Sequence, residues 1–216
     1  MDGTLVSLRE PVSSLALYYL FKWSAVAPCF RFYLRGQVHG AEHVPHTGPV
    51  VVVSNHASDF DPPLLSCCVG RPVAFMAKEE LFQVPLLGPA IRLYGAYPVR
   101  RGASDRQAIQ AALAYLQQGW ATGVFLQGTR TPDGRITDPK LGAALIAAKA
   151  QAPLLPVCLW GTEAIRPAGR GWPRCVPVTV RIGPVQPPPP TSQRADLEAT
   201  TQACATLLNH LHNLGR

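Results

Sequence analysis

Residues 50–63 read VVVVSNHASDFDPP. Four consecutive valines leave no polar face, so a strand here must be covered on both sides, as the strands of a parallel sheet are. After Ser54 come Asn55, His56, Ser58, Asp59 and Asp61, the residues of a loop. Asp61-Pro62-Pro63 then predicts a helix start, because proline is tolerated in a first turn whose N–H groups have no intrahelical partner. LLSCC continues that helix up to Gly70. Buried strand, polar loop and helix together make the first half of a β-α-β unit.

The alternation continues outward. QVHG (37–40) precedes the valines as a strand; PVAFMAK (72–78), YPV (97–99), ATGVFLQ (121–127), PLLPVCLWG (153–161) and VPVTVRIG (176–183) follow, the last alternating and so expected nearer an edge. Between them, 80–95 reads as short helices punctuated by Pro85, Gly88 and Pro89. Ser104 is placed to cap a helix ending at Gly119, and GAALIAAKAQA (142–152) is another. Four prolines at 187–190 form a stiff spacer before a last helix. Strands alternating with helices predict an α/β fold in a single domain, a mostly parallel mixed sheet flanked by helices. The expected division is an N-terminal helical segment over 1–35 and the main domain over 36–216.

Composition narrows the setting. The chain of 216 residues is 47% hydrophobic and only 15% charged, with a net charge of +7. Between Arg71 and Arg181 there are fourteen Lys or Arg against six Asp or Glu. Such a balance suits an anionic partner: a phosphorylated substrate or acidic lipid headgroups. No basic helix or aromatic-basic motif points to nucleic acid. The six cysteines, at 29, 67, 68, 158, 175 and 204, form no C-x-x-C and no framework spacing. They read as buried thiols in a reducing compartment, which places the protein on the cytoplasmic side of any membrane it meets.

The segment SSLALYYLFKWSAVAPCFRFYL (13–34) is apolar and aromatic but interrupted by Lys22, Pro28 and Arg31. Its unbroken apolar run is shorter than the ~20 residues a spanning helix needs. Aromatics interleaved with Lys and Arg predict a helix, or a broken pair, lying at a lipid–water boundary; the alternative is an amphipathic helix packed on the domain. The expectation is therefore a peripheral or monotopic membrane protein.

Three polar segments fall at the carboxyl ends of expected strands, where open α/β sheets bind ligands. In the first, Asp61 can hold one imidazole nitrogen of His56, leaving the other to deprotonate a hydroxyl. A capping Asp beside a solvent-facing His fits the same spacing, and a metal ligand is conceivable, although His39, His43, His46, His210 and His212 offer no partner motif. Ser58 lacks the G-x-S-x-G setting of a nucleophile and fits a local loop hydrogen bond. In the second, Gly128-Thr129-Arg130 follows a buried strand and offers a close-approaching backbone and a planar fork for phosphate, or else a plain turn. It is no P-loop. In the third, Arg100 and Arg101 follow Val99, and Lys78 adds a further cation at its strand end.

Taken in order, NHASDFD (55–61), GAYPVRR (95–101), FLQGTR (125–130) and LLPVCLW (154–160) resemble the motifs of the phospholipid and glycerol-phosphate acyltransferase family, in particular lysophosphatidic acid acyltransferases. The likeness runs from about Arg35 to Gly183. It implies a glycerol-3-phosphate acyltransferase-like fold. It also implies an acyl group passing from acyl-CoA or acyl-acyl carrier protein to the free hydroxyl of 1-acylglycerol-3-phosphate, giving phosphatidic acid at a membrane surface. By the same resemblance His56 is the general base and Asp61 its partner. Arg101, Arg130 and Lys78 hold the phosphate, while Asn55, Ser58, Gln127, Gly128 and Thr129 shape the pocket. No metal and no bound cofactor are implied, the acyl donor being a cosubstrate. Two positions depart from the family pattern: its Pro is Leu126 and its Glu is Gln127. The second loses a negative charge, which raises two alternatives, a weakened or inactive lipid-binding member and a remodelling enzyme for another lysophospholipid.

Overall fold

In the computed structural model the described residues are 12–93, 95–99, 105–167 and 171–216. They contain seven strands: β1 (Gln37–His39), β2 (Val50–Ser54), β3 (Val73–Lys78), β4 (Ala96–Val99), β5 (Ala121–Phe125), β6 (Leu154–Trp160) and β7 (Thr179–Ile182). Their order across one sheet is β1-β7-β6-β2-β5-β3-β4. All neighbours pair in parallel except β6 and β7. The carboxyl ends of β2, β3, β4, β5 and β6 therefore share one rim, and β2 stands between β5 and β6 near its middle.

The valine run behaves as its composition dictates. All of β2 is buried, and its side chains alternate between two cores. Val50 and Val52 meet Leu64, Leu65 and Val69 of helix α2 (Asp61–Val69) on one face. Val51 and Val53 meet the other face, which is covered by α4 (Asp105–Gln117), α5 (Gly142–Ala150) and α6 (Arg194–Asn213). A slip of one residue would exchange the two faces, so the register of this strand is fixed from both sides.

Prolines fall where the ladder can spare an N–H. Pro98 lies on the edge strand β4. Pro156, inside β6, sits where the β6–β7 register that starts at Val157↔Ile182 gives way to an isolated Leu154↔Gln186 bridge. Strand β7 is one position in from the edge because the exposed β1 covers it.

The N-terminal segment is neither a single regular helix nor two separate ones. Helix α1 (Val12–Phe21) runs on into two wide turns, Lys22–Val26 and Cys29–Tyr33, closed by Ala27 N–H to the Lys22 carbonyl and Leu34 N–H to the Cys29 carbonyl. Pro28 has no N–H and crowds the preceding turn, so widening there keeps the path helical. The Tyr18 hydroxyl lies 2.7 Å from Ser66 Oγ on α2, and Phe30 and Leu34 enter the core beside Leu64 and Val178. Helix α3 (Leu87–Leu93) and a 3-10 turn at Glu79–Gln83 fill the connection from β3 to β4.

Candidate active site

The loop after β2 is shaped around one carboxylate oxygen. Asp61 opens α2 and is fully buried; its Oδ2 accepts the N–H groups of Ala57 and Ser58, each at 2.7 Å, and faces His56 Nδ1 at 2.8 Å. An ionised carboxylate only accepts, so in the neutral ring Nδ1 carries the proton and Nε2 keeps its lone pair. The imidazole is 18% exposed and lies flat on Phe125, the last residue of β5, with ring centroids 3.9 Å apart and planes 14° apart. Stacked below and tethered at the side, the ring presents Nε2 as its free working atom.

Asn55, in the same loop, clasps the backbone of its neighbours. Its Nδ2 donates to the carbonyls of Leu159, at 2.8 Å, and Gly134, at 2.9 Å, while its Oδ1 accepts Leu159 N–H at 2.8 Å. With these three bonds spent on backbone, a longer one accepted from Ser54 Oγ at 3.5 Å, and 2% exposure, this side chain joins β2, β6 and the loop after β5. Ser58 is buried, and its Oγ accepts Phe60 N–H at 3.3 Å. That is the local loop bond expected of it.

The turn after β5 is tied to the same place. Thr131 donates its N–H to the His56 carbonyl at 2.8 Å, and Arg130 Nη1 reaches Asp59 Oδ1 at 2.6 Å. Arg130 therefore stands over the His56 loop in an ion pair whose partners are 49% and 61% exposed, a pairing that water weakens and that an incoming anion can replace. Gly128 takes a positive φ of 72° and closes the turn by giving its N–H to the Phe125 carbonyl at 2.9 Å. Thr129 is exposed beside it.

Both departures from the family pattern have a local explanation. Leu126 is buried and donates its N–H to the Ser54 carbonyl at 2.9 Å, a bond a proline could not make. Gln127 turns away along the loop. Its Oε1 accepts the N–H groups of Thr137, at 2.8 Å, and Asp138, at 3.2 Å, and its Nε2 donates to Thr137 Oγ1 at 3.1 Å. The acceptor that a glutamate would supply to those two amides is present in glutamine.

The structure thus gathers Asn55, His56, Ser58, Asp61, Gln127, Gly128, Thr129 and Arg130 along the carboxyl ends of β2 and β5. Arg101 lies outside the described residues, as does the side chain of Lys78, whose backbone ends β3. No group of three or more metal-ligating side chains occurs among the described residues.

Three features escaped the sequence reading. Phe125 could have been found from pairing alone, since it lies in register with Ser54, one residue before the loop. Asn209 on α6 holds the far side of the loop, accepting Ile136 N–H at 3.0 Å and donating to its carbonyl at 2.8 Å; no local motif marks it. Glu163, just past β6, is a third carboxylate near this rim. Burial pushes its carboxyl above the usual range, more than offsetting its backbone hydrogen bonds, and the charges of Asp61 and Asp133 push the same way.

Comparisons with known proteins place the chain in a family. The acyltransferase family model matches residues 35–160. A chloroplastic 1-acyl-sn-glycerol-3-phosphate acyltransferase of Brassica napus is 34% identical over 151 residues, covering 68% of this chain and 43% of the relative. A 1-acyl-sn-glycerol-3-phosphate acyltransferase of Bacillus subtilis is 31% identical over 150 residues, covering 67% of this chain and 73% of the relative. The crystal structure of the 1-acyl-sn-glycerophosphate (LPA) acyltransferase from Thermotoga maritima superposes with a TM-score of 0.75 at 27% identity, covering 95% of this chain and 84% of that one. Against the Brassica protein, the chain spans less than half of the relative's length.

Proposed function

The chain belongs to the acyltransferase family, and on that premise we propose that it transfers a fatty acyl group from acyl-CoA or acyl-acyl carrier protein to the free hydroxyl of 1-acylglycerol-3-phosphate, giving phosphatidic acid. The observation that carries the reading is the His56–Asp61 pair, 2.8 Å apart, with the carboxylate aimed by two backbone amides.

In this reading His56 Nε2 takes the proton of the acceptor hydroxyl as its oxygen attacks the thioester carbonyl. The carbon–oxygen bond forms, the carbon–sulfur bond breaks, and the departing thiolate takes the proton back from the imidazolium. Asp61 stabilises that imidazolium for as long as it lasts. Arg130 exchanges the exposed Asp59 for the acceptor's phosphate, with Arg101 and Lys78 as further cations. Gly128 and Thr129 border the pocket, and Asn55, Ser58 and Gln127 keep its loops in place.

The protein acts from a membrane surface, since both acceptor and product carry acyl tails. Among the described residues no helix is long and apolar enough to cross a membrane. The exposed aromatics of the helical segment support a peripheral or monotopic seat. The free thiols support the cytoplasmic side, although only Cys158 and Cys204 are buried and Cys29 and Cys175 are exposed, against the expectation of six buried thiols.

The test is turnover by purified protein supplied with acyl-CoA or acyl-acyl carrier protein and lysophosphatidic acid. Phosphatidic acid should form with wild type and not with His56→Ala. Free fatty acid as the sole product would replace transfer by hydrolysis, and transfer only to a different lysophospholipid would reassign the acceptor.

A further inference from the structure

One side chain on the His56 rim has no part in the chemistry above. Strand β6 runs toward that rim and β7 returns from it antiparallel, so the described residues of their connection, 161–167 and 171–178, lie there. The connection has a narrow neck. Gly161 has a φ of 85°, and a Cβ on it would stand 2.5 Å from the Pro177 carbonyl oxygen. Farther out, Arg174 N–H closes on the Ile165 carbonyl at 2.7 Å. Ile165 and Val178 anchor the base in the core, 1% and 0% exposed. At the outer end Trp172 is 88% exposed, with Arg166 and Arg174 exposed on either side. This is the construction of a compact surface loop with a fixed base and a presented tip.

The tip also continues another surface. The Tyr33 hydroxyl donates to the Pro173 carbonyl, and the Cys175 thiol donates to the Tyr33 carbonyl, both at 2.7 Å. The loop is thereby bolted to the end of the N-terminal helical segment, where Phe32 is 79% exposed beside an exposed Arg31. Between Glu163 and Asp196 the sequence has no acidic residue. An indole with an apolar body and one N–H, flanked by arginines and continuous with further exposed aromatics, matches the headgroup zone of an anionic bilayer.

We infer that the Trp172 loop is a second membrane anchor, distinct from the N-terminal segment, with the indole seated among lipid headgroups and Arg166 and Arg174 on their phosphates. The inference rests on the membrane reading proposed above and deepens it. Seating the loop sets the rim that carries His56 against the lipid from which the acceptor comes, so the anchor orients the enzyme as well as holding it.

The experiment is sedimentation of the full chain with vesicles of zwitterionic phosphatidylcholine, alone or mixed with anionic phosphatidylglycerol. Trp172→Ala should weaken partitioning roughly tenfold on both. Arg166→Ala and Arg174→Ala should each weaken it about fivefold on the mixed vesicles only. Turnover of a short-chain, water-soluble acceptor should be unchanged in all three. Trp23→Ser, in the helical segment, separates the two ideas. If it weakens binding while the loop variants do not, the loop is no anchor and the membrane reading stands. If wild type itself fails to sediment with vesicles, both fall. Should the loop variants leave partitioning intact but raise the KM for acyl-acyl carrier protein, the loop docks an acidic protein and the inference is overturned.

Discussion

At the residue scale, the chemistry depends on one oxygen, Asp61 Oδ2, with three donors pointed at it. Asparagine at this position could still accept the two amides, so the loop should persist. It could not stabilise an imidazolium with a full negative charge. Asp61→Asn should therefore lower kcat by about 10²–10⁴ while thermal unfolding stays close to wild type. A kcat within a few-fold of wild type would remove Asp61 from the proton transfer. Gln127 leads to the opposite expectation. Its Oε1 already serves the Thr137 and Asp138 amides, and the Thr137 hydroxyl can turn to donate to a carboxylate. Gln127→Glu should then change kcat/KM by no more than about threefold, since exposed charges a loop apart couple weakly. A large gain would show that glutamine is a handicap in the chemistry itself.

At the scale of elements, the 131–138 loop is held from four directions: by His56 through Thr131, by Asn55 through Gly134, by Asn209 through Ile136, and by Gln127 through Thr137 and Asp138. The Asn209 bonds link the C-terminal helix α6 to the site. Asn209→Ala leaves both polar groups of Ile136 without their partner and should cost about 1–3 kcal/mol, read from the urea midpoint. One turn farther along α6, His212 is 9% exposed, with Nε2 3.0 Å from where a Cβ on Gly134 would stand. Burial, then the nearby charge of Arg135, lowers its pKa below 6.5, and Asp133 opposes them. The unfolded chain therefore binds a proton near pH 6.5 that the native state refuses. Stability should fall as pH drops below about 6.5, and His212→Gln should flatten that slope between about pH 7.5 and about pH 5.5. An unchanged slope would place the acid sensitivity elsewhere.

These ties mark where sequence stops being informative. The valine run, the helix start at Asp61 and the glycine turn at Gly128 are legible because period, proline position and positive φ are local properties. The His56–Asp61 pair alone is open to a bland reading, and only its order with three other motifs along the chain favours a catalytic one. Asn209 acts on Ile136 from 73 residues away, and nothing in its neighbours announces that bond. The wide turns around Pro28 were legible only as a break, because whether a proline snaps or widens a helix depends on what packs against it.

At the scale of the whole molecule, the N-terminal segment faces two ways. Phe30 and Leu34 belong to the core, whereas Leu20 is 63%, Trp23 65% and Phe32 79% exposed. Removing residues 1–34 would therefore confuse loss of an anchor with loss of the fold, and only its outward residues make a clean test. Leu20→Ser with Trp23→Ser should leave unfolding unchanged and weaken binding to lipid vesicles by roughly a hundredfold, each side chain giving up the transfer of its apolar surface. The net charge of +7 adds a second, separable dependence. Raising salt should weaken binding to anionic vesicles and leave binding to neutral ones nearly unchanged, because the Debye length shrinks from about 10 Å at 0.1 M to about 3 Å at 1 M. If the double variant binds as wild type does while salt alone releases the protein, charge holds it at the surface and the exposed aromatics do not.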